Sequence, residues 1–246
     1  MTTRWNSPGL HYPEIVLSPV ENELIARLPR KSRVSLLKLC QPVELKMAEV
    51  LCKGGKPIRY VYFPMGAFIS AITLLDGAPV LEVGMVGHEG MFGAQVVLGA
   101  TIEPMHALVQ GPGSAWRIRR NIFHRVLIQD SALRESVSRY LLVTTTQLAR
   151  SAACLRFHRI GPRLARWLLM TRDRASSDNF HVTHEFLAFM LGVRRVGITN
   201  SAVELQRRGL IQYRRGDITI LKSRALEKAA CGCYAADRKT YATLLQ

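Results

Sequence analysis

The sequence predicts an α+β protein in three parts: an N-terminal double-stranded β-helix of the jelly-roll type, one long dimerisation helix, and a C-terminal winged helix-turn-helix. Three observations predict it. Many short β-type segments punctuated by Gly and Pro fill the first half of the chain. Residues 131–154 then run without a single Gly or Pro. Finally, residues 181–221 combine a small residue, a turn glycine, helical apolar spacing and a pair of short strands.

Residues 1–19 are Pro-rich and irregular. Short helices are predicted over 20–27 and 31–39, separated by Pro29. Val43-Glu44-Leu45 alternates as a strand does, and 51–57 reads as a strand entering a tight Gly54-Gly55 turn. Tyr60-Val61-Tyr62-Phe63 is aromatic and β-branched and stops at Pro64. Segments 68–75 and 79–86 flank Asp76-Gly77, a strong hairpin signal. Further strands fit 105–110 and 114–118, and a short helix fits 121–129. The predicted domains are a sensor-like β-roll over 20–130, the long helix over 131–154, the winged helix over 155–225, and a tail over 226–246.

The long helix carries Leu133, Val137, Tyr140, Leu141, Thr144, Leu148 and Ala152, mostly three or four apart. At 24 residues it would span about 36 Å, more stripe than one small β domain can cover. Pairing with its copy in a homodimer is the expected remedy, and burial on its own β domain is the alternative. His158, Arg159 and Gly161 lie where the chain would hinge before a new helix begins at Gly161-Pro162. That helix presents Leu164, Trp167, Leu168 and Thr171 on one face.

Thr183 is the expected N-cap of a helix ending at Gly192, and Arg195–Arg208 forms the second helix, closed by Gly209. Leu187, Ala188, Leu191, Gly192, Val193, Ile198 and Leu205 make the expected helix-turn-helix core, with Ala188 small where the helices cross. Arg195, Val196, Thr199 and Asn200 then face the major groove of double-stranded DNA, Arg195 suited to guanine and Asn200 to adenine. Thr183, Arg194, Arg207, Arg208, Arg214 and Arg215 are expected at phosphates.

Charge agrees with a polyanionic partner. Residues 1–130 hold 14 basic and 10 acidic side chains, whereas 131–246 hold 20 and 8, so most of the net +16 lies in the second half. Five scattered cysteines argue against a disulfide scaffold, and no apolar run reaches the ~20 residues of a membrane span. The cytoplasm is the simplest compartment. A cupin-like metal enzyme would need a clustered His/Glu set. His88, Glu89 and His106 lack the close alternating spacing of one strand, and Ser70 lacks a nucleophile elbow, so catalysis is not expected. A non-specific architectural DNA protein would explain the charge but not the mixed recognition surface.

These residues resemble the cyclic-AMP receptor protein / fumarate–nitrate reduction regulator superfamily of bacterial transcription factors. The resemblance runs through Thr183–Arg195 and Leu205–Ile211, and through Val61–Pro64, Asp76-Gly77 and Gly84–Gly93. It implies a cyclic-nucleotide-binding-like β-roll, a homodimer on an inverted-repeat operator, and RNA polymerase as a partner if the protein activates. It also implies an effector pocket near Gly87, His88, Glu89 and Gly90. The departures argue against three of the superfamily's cofactors. No Arg or Lys lies between Arg59 and Arg117, so a cyclic AMP phosphate would lack its cation. Residues 1–39 contain no cysteine, so an N-terminal iron–sulfur cluster would lack ligands. Haem would need an axial ligand, and His11, His88, His106 and His124 are more simply polar residues. Cys231 and Cys233 are expected on an exposed tail, two soft ligands being too few for a tetrahedral site. The effector is unknown, and control by abundance alone, without any ligand, is an open alternative.

Overall fold

The computed structural model describes residues 21–74 and 80–245. The Asp76-Gly77 turn, His11 and the segment 1–19 lie outside them. Two short helices come first, α1 (Glu23–Ala26) and α2 (Arg30–Leu37). Asn22 caps α1 by accepting from the Ile25 amide at 3.1 Å. The β domain contains β1 (Gln41–Leu45), β2 (Val50–Cys52), β3 (Lys56–Pro57), β4 (Tyr60–Pro64), β5 (Phe68–Thr73), β6 (Leu81–Val86), β7 (Ile102–Glu103), β8 (His106–Gly111) and β9 (Gly113–Arg119). Strands β1, β9 and β4 form one sheet and β2, β8, β5 and β6 another, all antiparallel, while β3 pairs with β7. Strands β5 and β6 pair as the hairpin signal predicts.

Side-chain alternation explains why β4 and β5 carry apolar side chains on both faces. In β4, Tyr62 joins the core between the sheets, while Val61 and Phe63 face the helical layer. In β5, Ile69 and Ala71 face the inter-sheet core, while Phe68 and Ile72 pack on the C-terminal domain. Both strands are thus covered on two faces.

Helix α3 (Arg120–Gln129) leads into α4 (Ser131–Phe157), which is 27 residues long. Asp130 caps α4 by accepting from the Leu133 amide at 3.0 Å. The expected dimer stripe divides here. Leu133, Val137 and Tyr140 are buried against α1–α3 and β4 of their own chain and so are not free for a partner. The physical reason is helical drift: the residues chosen from the sequence cover two adjacent faces, and the one through 133, 137 and 140 meets the β domain. Leu141 and Thr144 are half-buried, and Leu148 and Ala152 are exposed.

The break falls at His158–Arg159, both extended, so Gly161 lies inside the next helix, α5 (Ile160–Ala175), and not at the hinge. After β10 (Asn179–His181) come α6 (His184–Leu191), α7 (Arg195–Arg207), β11 (Ile211–Arg214) and β12 (Asp217–Ile220), with β12 central in a three-stranded sheet. The segment expected as a tail is folded instead. Helices α8 (Ser223–Ala229) and α9 (Cys233–Leu244) pack on α5 and α4. Buried Asp237 binds Arg150 of α4 and, at 2.7 Å, Arg166 of α5, which holds α9 in place. No helix among the described residues is long and apolar enough to cross a membrane.

Candidate nucleic-acid interface

Helices α6 and α7 are built as a pair. Thr183 caps α6 by accepting from the Phe186 amide at 3.2 Å. Gly192 ends α6 at φ +60°, in the left-handed region that favours glycine, and the Val193 amide then donates to the Ala188 carbonyl. Leu187, Ala188 and Leu191 are buried with Ile198, Ala202 and Leu205 of α7, and Val193 packs half-buried against them. This fixes which side of α7 points away. Arg194, Arg195, Val196 and Asn200 are exposed there, and Val196 is 62% accessible.

Thr199 is less free than its neighbours. Its hydroxyl bonds the Arg195 carbonyl at 3.2 Å and lies 3.0 Å from Nδ1 of His184. The His184 ring stacks on Tyr213 of β11 at 4.2 Å, and the Tyr213 amide donates to Gln206 of α7 at 2.7 Å. Burial, and secondarily the Arg195 charge, lower the His184 pKa. A neutral imidazole therefore locks the wing to both helices. Sequence reasoning missed this residue, because nothing in the spacing shows that the wing folds back over the α6 N-terminus.

The wing turns at Arg215-Gly216, with φ +52° and +94°, the primed two-residue geometry that suits hairpin twist. It presents Arg214 and Arg215 to solvent. Arg208 is exposed as well. Arg207 is exposed but already donates to both oxygens of Glu204, at 3.0 and 3.1 Å, so reaching a phosphate means sharing or leaving that pair.

The expected effector pocket at Gly87–Gly90 is occupied by the protein itself. Glu89 pairs with buried Arg174 of α5 at 2.6 Å, and His88 lies 3.5 Å from Glu23. A Cβ at Gly90 would fall 2.2 Å from the Tyr140 ring, so glycine is there for close packing. A cavity of about 290 Å³ opens instead beside β6, between it and α4, α5 and α6. Glu82, Met85, Gln147, Trp167 and Met190 are among its walls. Glu82 accepts from Ser70 at 2.5 Å and from the Trp167 indole at 2.9 Å, while burial pushes its carboxyl up to about 7. A lone acid in an otherwise apolar strand was the available signal for Glu82. Ser70, Glu89 and His88 are thus engaged in packing contacts. The only group of three or more metal-ligand side chains among the described residues lies elsewhere, at the end of α4.

Residues 162–229 match the family model of the Crp-like helix-turn-helix domain. A comparison with curated proteins returns no match. Solved structures share the fold over most of the chain. A Eubacterium rectale protein assigned to the Crp/Fnr family of transcriptional regulators superposes with a TM-score of 0.66 at 17% identity, over 84% of this chain and 96% of that one. FixK2 from Bradyrhizobium japonicum gives 0.65 at 13%, over 78% and 98%. A Crp-family regulator of Thermus thermophilus, TTHB099, gives 0.63 at 20%, over 76% and 96%. Residues 162–229 thus form a Crp-like helix-turn-helix domain, and the chain as a whole shares the fold of these Crp/Fnr-family structures.

Proposed function

We propose that the protein is a sequence-specific regulator that binds an inverted-repeat operator as a homodimer, one α7 in each of two major-groove segments about 34 Å apart. The exposed face of α7 carries this reading. Arg195, Val196 and Asn200 stand clear of a helix whose other side is held by Ile198, Ala202 and Leu205. Arg195 supplies a bidentate guanine contact, Val196 a thymine methyl contact and Asn200 an adenine contact. Thr199 acts through its methyl and its grip on His184. Thr183, Arg194, Arg207, Arg208, Arg214 and Arg215 hold phosphates. If the protein activates, RNA polymerase is the further partner.

The second copy docks along the face of α4 that the β domain leaves open. Leu141, Leu148, Ala152 and Leu155 recur there at seven- and three/four-residue intervals, and Leu148 and Leu155 are each 39% accessible.

Selection from a random duplex pool, followed by titration at several salt concentrations, tests the reading. Arg195→Ala should relax preference at one operator position and cost about 1–3 kcal/mol. Arg214→Ala should weaken all duplexes alike and reduce the salt slope by about one. Equal binding to matched and mismatched sites would instead mark a non-specific architectural protein.

A further inference from the structure

Cys154 and His158 stand four residues apart near the end of α4, on one face of the helix. Cys231 lies in the link between α8 and α9, and Cys233, just past Gly232, opens α9. The fold brings these two pairs together. Cys154 Sγ lies 3.6 Å from Cys231 Sγ, His158 Nδ1 lies 3.4 Å from Cys154 Sγ, and Cys233 Sγ lies 3.5 Å from His158 Nδ1. All four ligand atoms fall within 4.8 Å of one another. The three cysteines are free thiols that form a small buried cluster of their own, while His158 closes it from the solvent side.

We propose that Cys154, His158, Cys231 and Cys233 are the ligands of a single tetrahedral zinc ion that clamps the C-terminal segment to the end of the long helix.

The spacing decides the kind of metal centre. Zinc bonds of about 2.3 Å to sulfur and about 2.0–2.1 Å to nitrogen put tetrahedral edges at roughly 3.7 Å for sulfur–sulfur and 3.5 Å for sulfur–nitrogen. The Cys154–Cys231, Cys154–His158 and Cys233–His158 separations of 3.6, 3.4 and 3.5 Å match those edges, and all four atoms lie within 4.8 Å of one another. An iron–sulfur cluster would need its ligands spread around several atoms, and this set converges on one point. Four protein ligands leave no open position, so the site is structural and not hydrolytic. Three thiolates and a neutral imidazole around a divalent ion leave one negative charge. Arg163 and Arg166, both of which act electrostatically on Cys154 and Cys231, offset it. A disulfide between Cys154 and Cys231 is the competing chemistry. It would draw the sulfurs to about 2.05 Å and leave Cys233 and His158 without a role.

The position gives the clamp a consequence. His158 is the residue at which α4 breaks, and the Cys231 amide donates to the Pro162 carbonyl in the first turn of α5 at 3.2 Å. A metal there ties the break between the long helix and the DNA-binding domain to α9, whatever ligand or operator the protein uses.

The test is metal analysis of the full chain, purified with thiols reduced and without chelators from cells supplied with zinc. One zinc per chain is expected. Cys231→Ser, Cys233→Ser and His158→Asn should each lose most of it, while Cys40→Ser, outside the cluster, retains it. Cobalt loaded into the wild-type protein should show intense thiolate-to-metal and tetrahedral d–d absorption, which settles the geometry even if a variant fails to fold. A chelator that strips the metal should lower the melting temperature. Folded, reduced wild-type protein that binds neither zinc nor cobalt overturns the proposal. So does protein recovered metal-free with a Cys154–Cys231 disulfide, or loaded with an iron–sulfur chromophore, or binding zinc undiminished in Cys231→Ser and Cys233→Ser.

Discussion

Single contacts hold the β domain to the helices behind it, and two of them, Gly90 with Tyr140 and Glu89 with Arg174, yield direct predictions. Gly90 sits where any Cβ would overlap the Tyr140 ring at 2.2 Å, and Tyr140 is fully buried on α4. The ring is fully buried, so making room for a Cβ means displacing packed neighbours. Gly90→Ala should therefore cost about 1–3 kcal/mol, read as a lower urea midpoint with an unchanged slope. Arg174 and Glu89 form the other contact. Their side chains are only 6% and 15% accessible, and Arg174 also donates to the Met170 carbonyl at 3.0 Å. Arg174→Met leaves the Glu89 carboxylate buried without its cation and should cost about 3–5 kcal/mol. Adding Glu89→Gln removes the stranded charge and should recover a large part of that loss. A double variant no more stable than Arg174→Met would show that the pair is not coupled. Glu89 also marks what the sequence could not disclose, since its partner lies 85 residues further on in another domain.

At the scale of the element, α4 shows how far the pattern was legible. The absence of Gly and Pro and the apolar recurrence predicted a helix over 131–154, and the structure extends it to Phe157. What spacing alone did not resolve was its facing. Leu133, Val137 and Tyr140 are consumed by the β domain, with Leu141 half-buried at the edge of that core, and the outward stripe is displaced to Leu148, Ala152 and Leu155. Periodicity reports that a face is apolar, not what covers it. The same limit hid the cysteine cluster. Cys154 and His158 stand at helical spacing, a signal the sequence expectations do not use, and residues 231 and 233 fall on an expected tail, because α8 and α9 owe their place to long-range contacts such as Asp237 with Arg150 and Arg166. The helix-turn-helix was far more legible, since its core, turn glycine and wing are all local. The facing of α4 has a measurable outcome. If the proposed homodimer uses this face, replacing Leu148 and Leu155 together by Asp should convert it to monomer in light scattering after gel filtration, with the circular dichroism spectrum retained. Dimers that persist at micromolar concentration would place the interface elsewhere.

For the whole molecule, the DNA-binding domain and the β domain share one core, and a titratable group sits at their junction. Phe68, Ile72, Met85 and Leu108 of the β domain cluster with Leu164, Trp167, Leu168 and Leu191 of the C-terminal domain. Glu82 bridges them, accepting from Ser70 on one side and the Trp167 indole on the other. Burial raises its pKa from an ordinary 4.5 to about 7, against the lowering effects of those hydrogen bonds and of Arg174 and Arg166. The sign follows from linkage. The folded state holds its proton more tightly than the unfolded chain, so the stabilisation is complete below about pH 4.5 and is lost as pH rises through 7. The span corresponds to about 3 kcal/mol at most. Above that pH the protein must bury a carboxylate or loosen the junction. Glu82→Gln keeps a neutral acceptor for Trp167 and should remove this slope. Glu103, buried and likewise pushed up to about 7, should leave a residual slope that Glu103→Gln then removes. Urea unfolding of the wild type and both variants at pH 5 and pH 8 decides it. The wild type should lose stability relative to Glu82→Gln at the higher pH, and equal differences at the two values would mean that Glu82 is already ionised in the folded state, with the domain junction insensitive to its charge.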